Sequence, residues 1–386
     1  MKPLEGILVL DFSQYLAGPS CSLRLADLGA RVIKIERPGS GDNCRRMSLK
    51  NLMIDGNSVL FHTINRSKES FCANMKDPED LKIVRELIKR ADVLIENFRP
   101  GVMKRNHLDY DSVKEINAGL VYGTVTGYGN EGPWVKKPGQ DLLVQSMSGL
   151  AWLNGNGQDP PVPFCLSVID SYAGVHLAEG VLAALFRRFK TGRGALVEVS
   201  LMESAVDMQF EGITAYLNGG RKLPVRADYN NAHPYMGAPY GVYQTKDGYI
   251  ALSKGSLKDL GEYLEIPRLA QFDEFEDTFN KRDEIKRIIG EKLLLDTTAH
   301  WLEILESAGY WCSDVYTWEK LLNTEGFQAL KFLQELEFKD GRKICTSRCP
   351  VKVDGEAYYS SRRAPDLGED TEKIIQEFDL GKGGLS

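Results

Sequence analysis

The sequence predicts an α/β protein: a Rossmann-like large domain, with a parallel sheet and helices on both faces, joined to a smaller α+β domain. Three observations carry this. The first 37 residues read as strand, helix, strand; continuously apolar strands alternate with helical patterns as far as residue 200; and 386 residues exceed the roughly 250–300 at which one core stops growing.

Residues 6–12 (GILVLDF) form the first expected strand, 19–29 a helix and 31–36 (RVIKIE) a second strand, a βαβ unit whose unbroken apolar strands imply a parallel sheet covered on both faces. Ligands bind at the carboxyl ends of such strands. The loop SQYLAGPS holds a single glycine, Gly18, so the three-glycine dinucleotide fingerprint is absent. Asp77 and Pro78 make an N-cap and first-turn pair for a helix to about Arg90, with Leu81, Val84, Leu87 and Ile88 on one face. DVLIEN is the next strand, GVMKRN and YDSVKEIN are short helices, and GLVYGTVTGYG is another strand. After the helix that follows Asp170, KTGRGALVEVSL reads as a turn into one more buried strand. The large domain therefore takes residues 1–200 and about 330–386. The small domain spans about 225–325, opening with a hairpin, YGVYQT and YIALS, around an Asp-Gly expected to supply positive φ, and continuing in helices at RDEIKRIIGEKLLL and TAHWLEILESAG.

Composition narrows the chemistry. At 42% hydrophobic and 26% charged the chain is an ordinary globular one, and its apolar runs fall far short of the roughly 18 residues of a membrane span. The opening apolar run, 6–10, is too short for a signal peptide. The expectation is a cytoplasmic protein with no membrane partner. Seven scattered cysteines, an odd number, suit a reducing compartment. Cys345 and Cys349 form a lone CxxxC, which lacks the second pair a zinc site needs, and the five histidines show no metal-ligand spacing, so no metal is expected. Residues 1–110 carry eighteen basic against fourteen acidic side chains, a net +4, while the other 276 residues carry −10. This favours a small anionic ligand over nucleic acid.

Asp170 stands between a short apolar segment and a helix that is apolar on nearly every side. Asp is a favoured N-cap and suits the positive end of a helix dipole. Local sequence leaves open whether it caps the helix or reacts.

The blocks PLEGILVLDFSQYLAGPSCSLRLADLGARVIKIERPGSGD, VLIENFRPG, VQSMSGL, KTGRGALVEVSL, HPYMGAPYGVYQTKDGYIAL and APDLGEDTEKI run in order from residue 3 to about 375. Together they resemble the family III CoA-transferases (the CaiB/BaiF family), whose relatives include the α-methylacyl-CoA racemases. The resemblance implies an interlocked homodimer, no permanently bound cofactor, and coenzyme A as part of a substrate: an acyl-CoA and a small carboxylic acid would be the partners. It puts Asp170 at the nucleophile position, where a carboxylate would attack a thioester and pass through a mixed anhydride. Amides of Ala173 and Gly174 are expected to face the oxyanions. It implies CoA contacts at Gln14, Tyr15, Ala17, Arg37, Asn74, Lys76, Asn97, Phe98, Arg99 and Arg105, with Phe98 equally readable as core. Gln140, Asp141, His233 and Tyr240 would be substrate or supporting residues. Departures accompany the match. Gln140 replaces the Tyr of transferases and the His of racemases, and a neutral amide cannot act as the racemase acid or base. The glycine-rich segment of formyl-CoA:oxalate enzymes has no counterpart near HPYMGAP, and Asp370 stands where His is usual. Two alternatives stay open: a racemase-like isomerase pairing Asp170 with Glu203 or His233, and a non-catalytic acyl-CoA-binding protein.

Overall fold

A computed structural model describes residues 1–47 and 49–380. The chain divides into two compact units. The first takes Met1–Val144, Ser167–Ala205 and the chain from Leu330 on; the second takes Gln145–Leu166 and Val206–Ala329. Residues 145–166, expected in the large domain, thus group with the second unit.

In the first unit, β1 (Leu8–Asp11), α1 (Ala17–Asp27) and β2 (Arg31–Glu36) form the expected βαβ opening. There follow α2 (Val59–Asn65), β3 (Lys68–Cys72), α3 (Pro78–Arg90), β4 (Val93–Glu96), β5 (Val121–Thr126), α4 (Asp141–Met147), α5 (Val168–Thr191) and β6 (Ala195–Ser200). The six strands form one sheet in the order β3-β2-β1-β4-β5-β6, every pair parallel. The chain order reverses between β1 and β4, which makes that crevice the topological switch point.

Physical causes are visible element by element. Asp77 accepts hydrogen bonds from the Glu79 and Asp80 amides, Pro78 opens α3, and acidic residues in its first turn with basic ones in its last oppose the helix dipole. Val84, Leu87 and Ile88 of α3 bury against Leu10, Ile33 and Leu94 of the sheet. Each contributes about 1.5–3 kcal/mol by removal from water. Ile374 of α9 (Thr371–Glu377) joins the same core, as expected for a chain end that returns to the first domain. One expectation fails at β6, read as buried: exposed and buried residues alternate along it, because it is the edge strand of the sheet. Another concerns α5, which by length and composition is apolar enough to cross a membrane. It is a helix of this fold: Ile169, Ala173, Leu177, Val181 and Leu185 are buried along one side, and Gly192 in the left-handed conformation closes its carboxyl end.

The second unit is built on an antiparallel sheet of Gly241–Gln244, Tyr249–Leu252 and Cys312–Asp314, backed by α6 (Leu257–Tyr263), α7 (Arg282–Leu293) and α8 (Thr298–Ser307), with Tyr243, Ile250, Leu260, Ile289 and Leu305 in its core. The hairpin forms where expected but not by the expected turn. Neither Asp247 nor Gly248 has positive φ. Thr245 instead closes the loop, its amide donating to the Gly248 carbonyl (2.9 Å) and its hydroxyl accepting from the Gly248 amide (3.0 Å), while the Asp247 carboxylate accepts from the Thr298 amide (2.8 Å) at the start of α8.

Cys345 and Cys349 are free thiols, one exposed and one buried, and no group of three potential metal ligands occurs among the described residues.

Candidate active site

The parallel sheet carries several expected contact residues to one edge. Gln14, Tyr15 and Ala17 follow β1, Arg37 follows β2, Asn74 and Lys76 follow β3, and Asn97, Phe98 and Arg99 follow β4: all leave carboxyl ends of neighbouring strands. Asn97 bridges the switch point. Its Oδ1 accepts from the Gln14 amide (2.8 Å) and its Nδ2 donates to the Gln14 carbonyl (2.7 Å). Asn74 Oδ1 accepts from the Lys76 amide (3.2 Å), whereas the Arg37, Lys76, Arg99 and Arg105 side chains are exposed. Phe98 packs against the sheet core and also lines a cleft of about 260 Å³ with Arg99, Lys104, Tyr110 and Tyr122. Arg105 lies at a neighbouring depression with Lys104 and His107.

Asp170 proves not to be the cap of α5. The helix begins at Val168 with Ser167 as N-cap, whose side chain makes no capping bond. The capping acceptor comes from a distant part of the chain: Asp141 Oδ2 accepts from the amides of both Ile169 (2.8 Å) and Asp170 (2.9 Å). Asp141 thereby satisfies two of the open donors of the first turn and leaves the Asp170 carboxylate without a hydrogen bond to any described residue. Burial, together with the adjacent Asp141 charge, pushes the Asp170 carboxyl up to about 7. A half-buried carboxylate that titrates near neutrality and caps nothing has the character of a reactive group.

The amides of Ala173 and Gly174, expected to face an oxyanion, lie in the second turn of α5, where backbone donors belong to the helix ladder. Gly174 has a different reason to be glycine. A Cβ there would stand 2.0 Å from Ser20 Oγ and 2.7 Å from the Ala17 carbonyl oxygen, so α1 and α5 meet backbone to backbone. This contact sets the start of α1 beside α5 one turn after Asp170. The start of α1 has no side-chain cap, and the Ala17 and Gly18 amides have no hydrogen-bond partner among the described residues. They, rather than Ala173 and Gly174, are the donors open to an anion. Gly174→Ala is expected to lower stability by about 1–3 kcal/mol through overpacking, against the gain of up to about 1 kcal/mol that Ala brings to a helix, and to slow the reaction more than tenfold. Urea midpoints and turnover of the same preparation check both.

The supporting residues scatter. Gln140 is exposed. Glu203, one partner considered for an isomerase, accepts from the Ser200 hydroxyl (2.5 Å) while Ser200 accepts from the Glu203 amide, a capping arrangement. His233 and Tyr240 belong to the second unit, where His233 Nδ1 accepts from the Tyr235 amide (3.2 Å) and Tyr240 lines a cavity of about 590 Å³ with Val242, Ser253, Tyr310 and Trp311.

Sequence reasoning missed the ion pairs beneath the edge. Asp11, Lys34 and Lys68 are wholly buried at neighbouring strands, and Lys68 Nζ donates to Asp11 Oδ2 (3.0 Å), Ser22 Oγ (2.8 Å), Asn65 Oδ1 (2.9 Å) and the Pro19 carbonyl (3.0 Å). Burial works against the Asp11 carboxylate, yet Lys34, Lys68 and two serine hydroxyls hold it well below the ordinary carboxylate range. Four buried pairs, Lys34–Asp42, Lys68–Asp11, Arg45–Glu36 and Arg66–Asp27, cancel in charge. The +4 excess of this region therefore rests on the other residues, among them the exposed Arg37, Lys76, Arg99 and Arg105. The available signal was Lys34 within a strand otherwise read as buried; the strand of Lys68 was not read from sequence.

The chain has relatives among known proteins over nearly its whole length. Residues 4–371 match CoA-transferase family III. The chain is 30% identical to the human succinyl-CoA:glutarate CoA-transferase, over 98% of this chain and 86% of that one. It is 34% identical to the acetyl-CoA:oxalate CoA-transferase of Acetobacter aceti, over 97% of this chain and 96% of that one. The crystal structure of a CaiB/BaiF family protein from Brucella suis superposes with a TM-score of 0.85 at 29% identity, covering 98% of this chain and 100% of that one.

Proposed function

The chain belongs to CoA-transferase family III, and from that membership we propose that Asp170 carries CoA between two carboxylic acids by covalent catalysis. One observation supports this above the others: the carboxylate of Asp170 is desolvated and uncommitted because Asp141 caps its helix. An Asp170 oxygen attacks the thioester carbonyl of an acyl-CoA, the C–S bond breaks, and an acyl-aspartyl anhydride and CoA thiolate result. The thiolate attacks the aspartyl carbonyl, releasing the donor acid and leaving an aspartyl-CoA thioester. The acceptor carboxylate attacks that carbonyl, expelling the thiolate again, and the thiolate takes the acceptor acyl group, restoring Asp170. Each step exchanges one carboxylate or thiolate for another, so no net proton is consumed. The Ala17 and Gly18 amides are the donors for the tetrahedral oxyanions, and the exposed Arg37, Lys76, Arg99 and Arg105 suit the phosphates of CoA.

The relatives named for glutarate and oxalate make short dicarboxylic acids the first acceptors to try. The assembly proposed is a homodimer, supported by Val175, Phe186 and Phe189, which are 49%, 63% and 90% exposed on one side of α5.

The test is to incubate the protein with a panel of acyl-CoAs, add hydroxylamine and sequence the peptides by mass spectrometry. A hydroxamate at Asp170 is the expected product. Exchange of the substrate α-proton without any modification of Asp170 would instead support an isomerase. A second expectation concerns pH: since only ionised Asp170 attacks, log kcat/KM should rise with unit slope below about pH 7 and level off above it. Asp141→Asn, which keeps an oxygen for both amides but removes the charge, should move the midpoint to lower pH.

A further inference from the structure

The backbone of the loop after β1 is held at every polar group from Ser13 to the Tyr15 amide, and each holder is a side chain. The Ser13 amide donates to Asp11 Oδ1 (3.0 Å), and the Ser13 carbonyl accepts from Lys34 Nζ (2.7 Å). Asn97 takes both the amide and the carbonyl of Gln14. Asp42 Oδ1 accepts from the Tyr15 amide (3.1 Å), while its Oδ2 stands 2.9 Å from Lys34 Nζ. Asn43 Nδ2 completes the set, donating to Gln14 Oε1 (3.0 Å) and Tyr15 Oη (3.1 Å).

This degree of support accompanies an unfavourable conformation. Tyr15 has φ of 65°, a left-handed backbone that a residue with a Cβ adopts sparingly and that persists only where surroundings impose it. The loop also has no slack, since a Cβ on Gly18 would stand 2.3 Å from Ser13 Cβ and 3.5 Å from Asn97 Cγ. Oδ1 and one Nδ2–H of the Asn97 amide are both committed to the main chain of Gln14, which fixes the plane of that amide.

We propose that Asn97 and Asp42 are positioning residues that fix Gln14 and Tyr15 at the switch point before substrate binds, Asn97 acting through Gln14 and not by touching CoA. This rests on the reading that the edge takes a CoA thioester, but it makes a claim about the free protein as well. Preorganisation of this kind lowers the ordering cost of binding and of the transition state.

Two measurements test it. In the unliganded protein, amide hydrogen exchange at Gln14 should be at least tenfold faster in Asn97→Ala than in wild type, and at Tyr15 faster in Asp42→Ala, with Asn97→Asp, which keeps the acceptor, partly restoring protection at Gln14. Unchanged exchange would overturn the proposal whether or not the protein transfers CoA. The second measurement is a double-mutant cycle of Gln14→Ala and Asn97→Ala on kcat/KM. If Asn97 works through Gln14, single losses of about tenfold each should combine to little more than tenfold. Losses that multiply to about a hundredfold would show Asn97 acting independently and overturn it. Absence of transfer in wild type would count against the reading of the site, while the exchange result would still decide the positioning role.

Discussion

Asp170→Asn is expected to abolish CoA transfer, by about 10⁴-fold or more in kcat, and at the same time to stabilise the protein above neutral pH. The first half follows from the proposed mechanism, in which Asp170 forms the anhydride. The second follows from linkage. Burial, with the Asp141 charge, raises the folded-state carboxyl from the ordinary 3.8 to about 7. Between those values the folded state holds a proton that the unfolded chain has lost, so stability falls as pH rises through that window. The full cost is on the order of 4 kcal/mol above pH 7, at about 1.4 kcal/mol per unit. Asn carries no such cost. Urea unfolding at pH 5 and pH 8 should show the variant gaining on wild type by about 2–3 kcal/mol across that range. A gap that does not change with pH would mean that Asp170 ionises normally in the folded state, and the account of its reactivity would fail with it.

The same residue shows where sequence reasoning stops. The strands and helices of the βαβ opening, the α3 cap at Asp77 and the hairpin after Gly241 are local patterns, and each appears in the structure at its expected place. That Asp170 does not cap its own helix follows from Asp141, twenty-nine residues earlier, and no local pattern encodes that distance. Gly174 likewise reads as room for an oxyanion until Ser20 and Ala17 are seen against it. The hairpin turn differs because Asp247 is drawn to the start of α8, a contact fifty-one residues away. Periodicity reports which face of an element is buried, whereas capping from another segment and close backbone approach depend on neighbours that only the fold supplies. Lys34 lies between these cases, in a legible strand, whereas the strand of Lys68 was not read from sequence, and either buried lysine could be understood only with its carboxylate partners in view.

Those lysines lead to one of the larger stability effects expected of a single substitution in the first unit. Asp11→Asn should cost about 3–5 kcal/mol, the range seen when one member of a buried ion pair is removed and the other stays. Among the described residues Asp11 is the only carboxylate paired with Lys68, and it stands 3.9 Å from Lys34, so its loss leaves one ammonium with neutral acceptors alone and weakens the balance of the second. Burial already pushes Lys68 down to about 8, with Lys34 adding to the shift and Asp11 opposing it. Without Asp11 it should fall further and lose its proton at neutral pH. The converse change is not symmetrical. Lys68→Met leaves Asp11 with Lys34 and the hydroxyls of Ser13 and Ser22, so it should cost clearly less than Asp11→Asn. Equal losses in urea unfolding would mean an isolated pair instead of a carboxylate shared by two lysines. The pH dependence separates the cases again: a lysine whose folded value lies below its unfolded one makes stability rise with pH between the two, so wild type should gain stability from about pH 8 to 10 and Lys68→Met should not. Because Lys34 also holds the Ser13 carbonyl, the charge balance beneath the sheet and the geometry of the loop above it are one structure. A protein weakened at Asp11 should therefore lose protection at Gln14 before it unfolds as a whole.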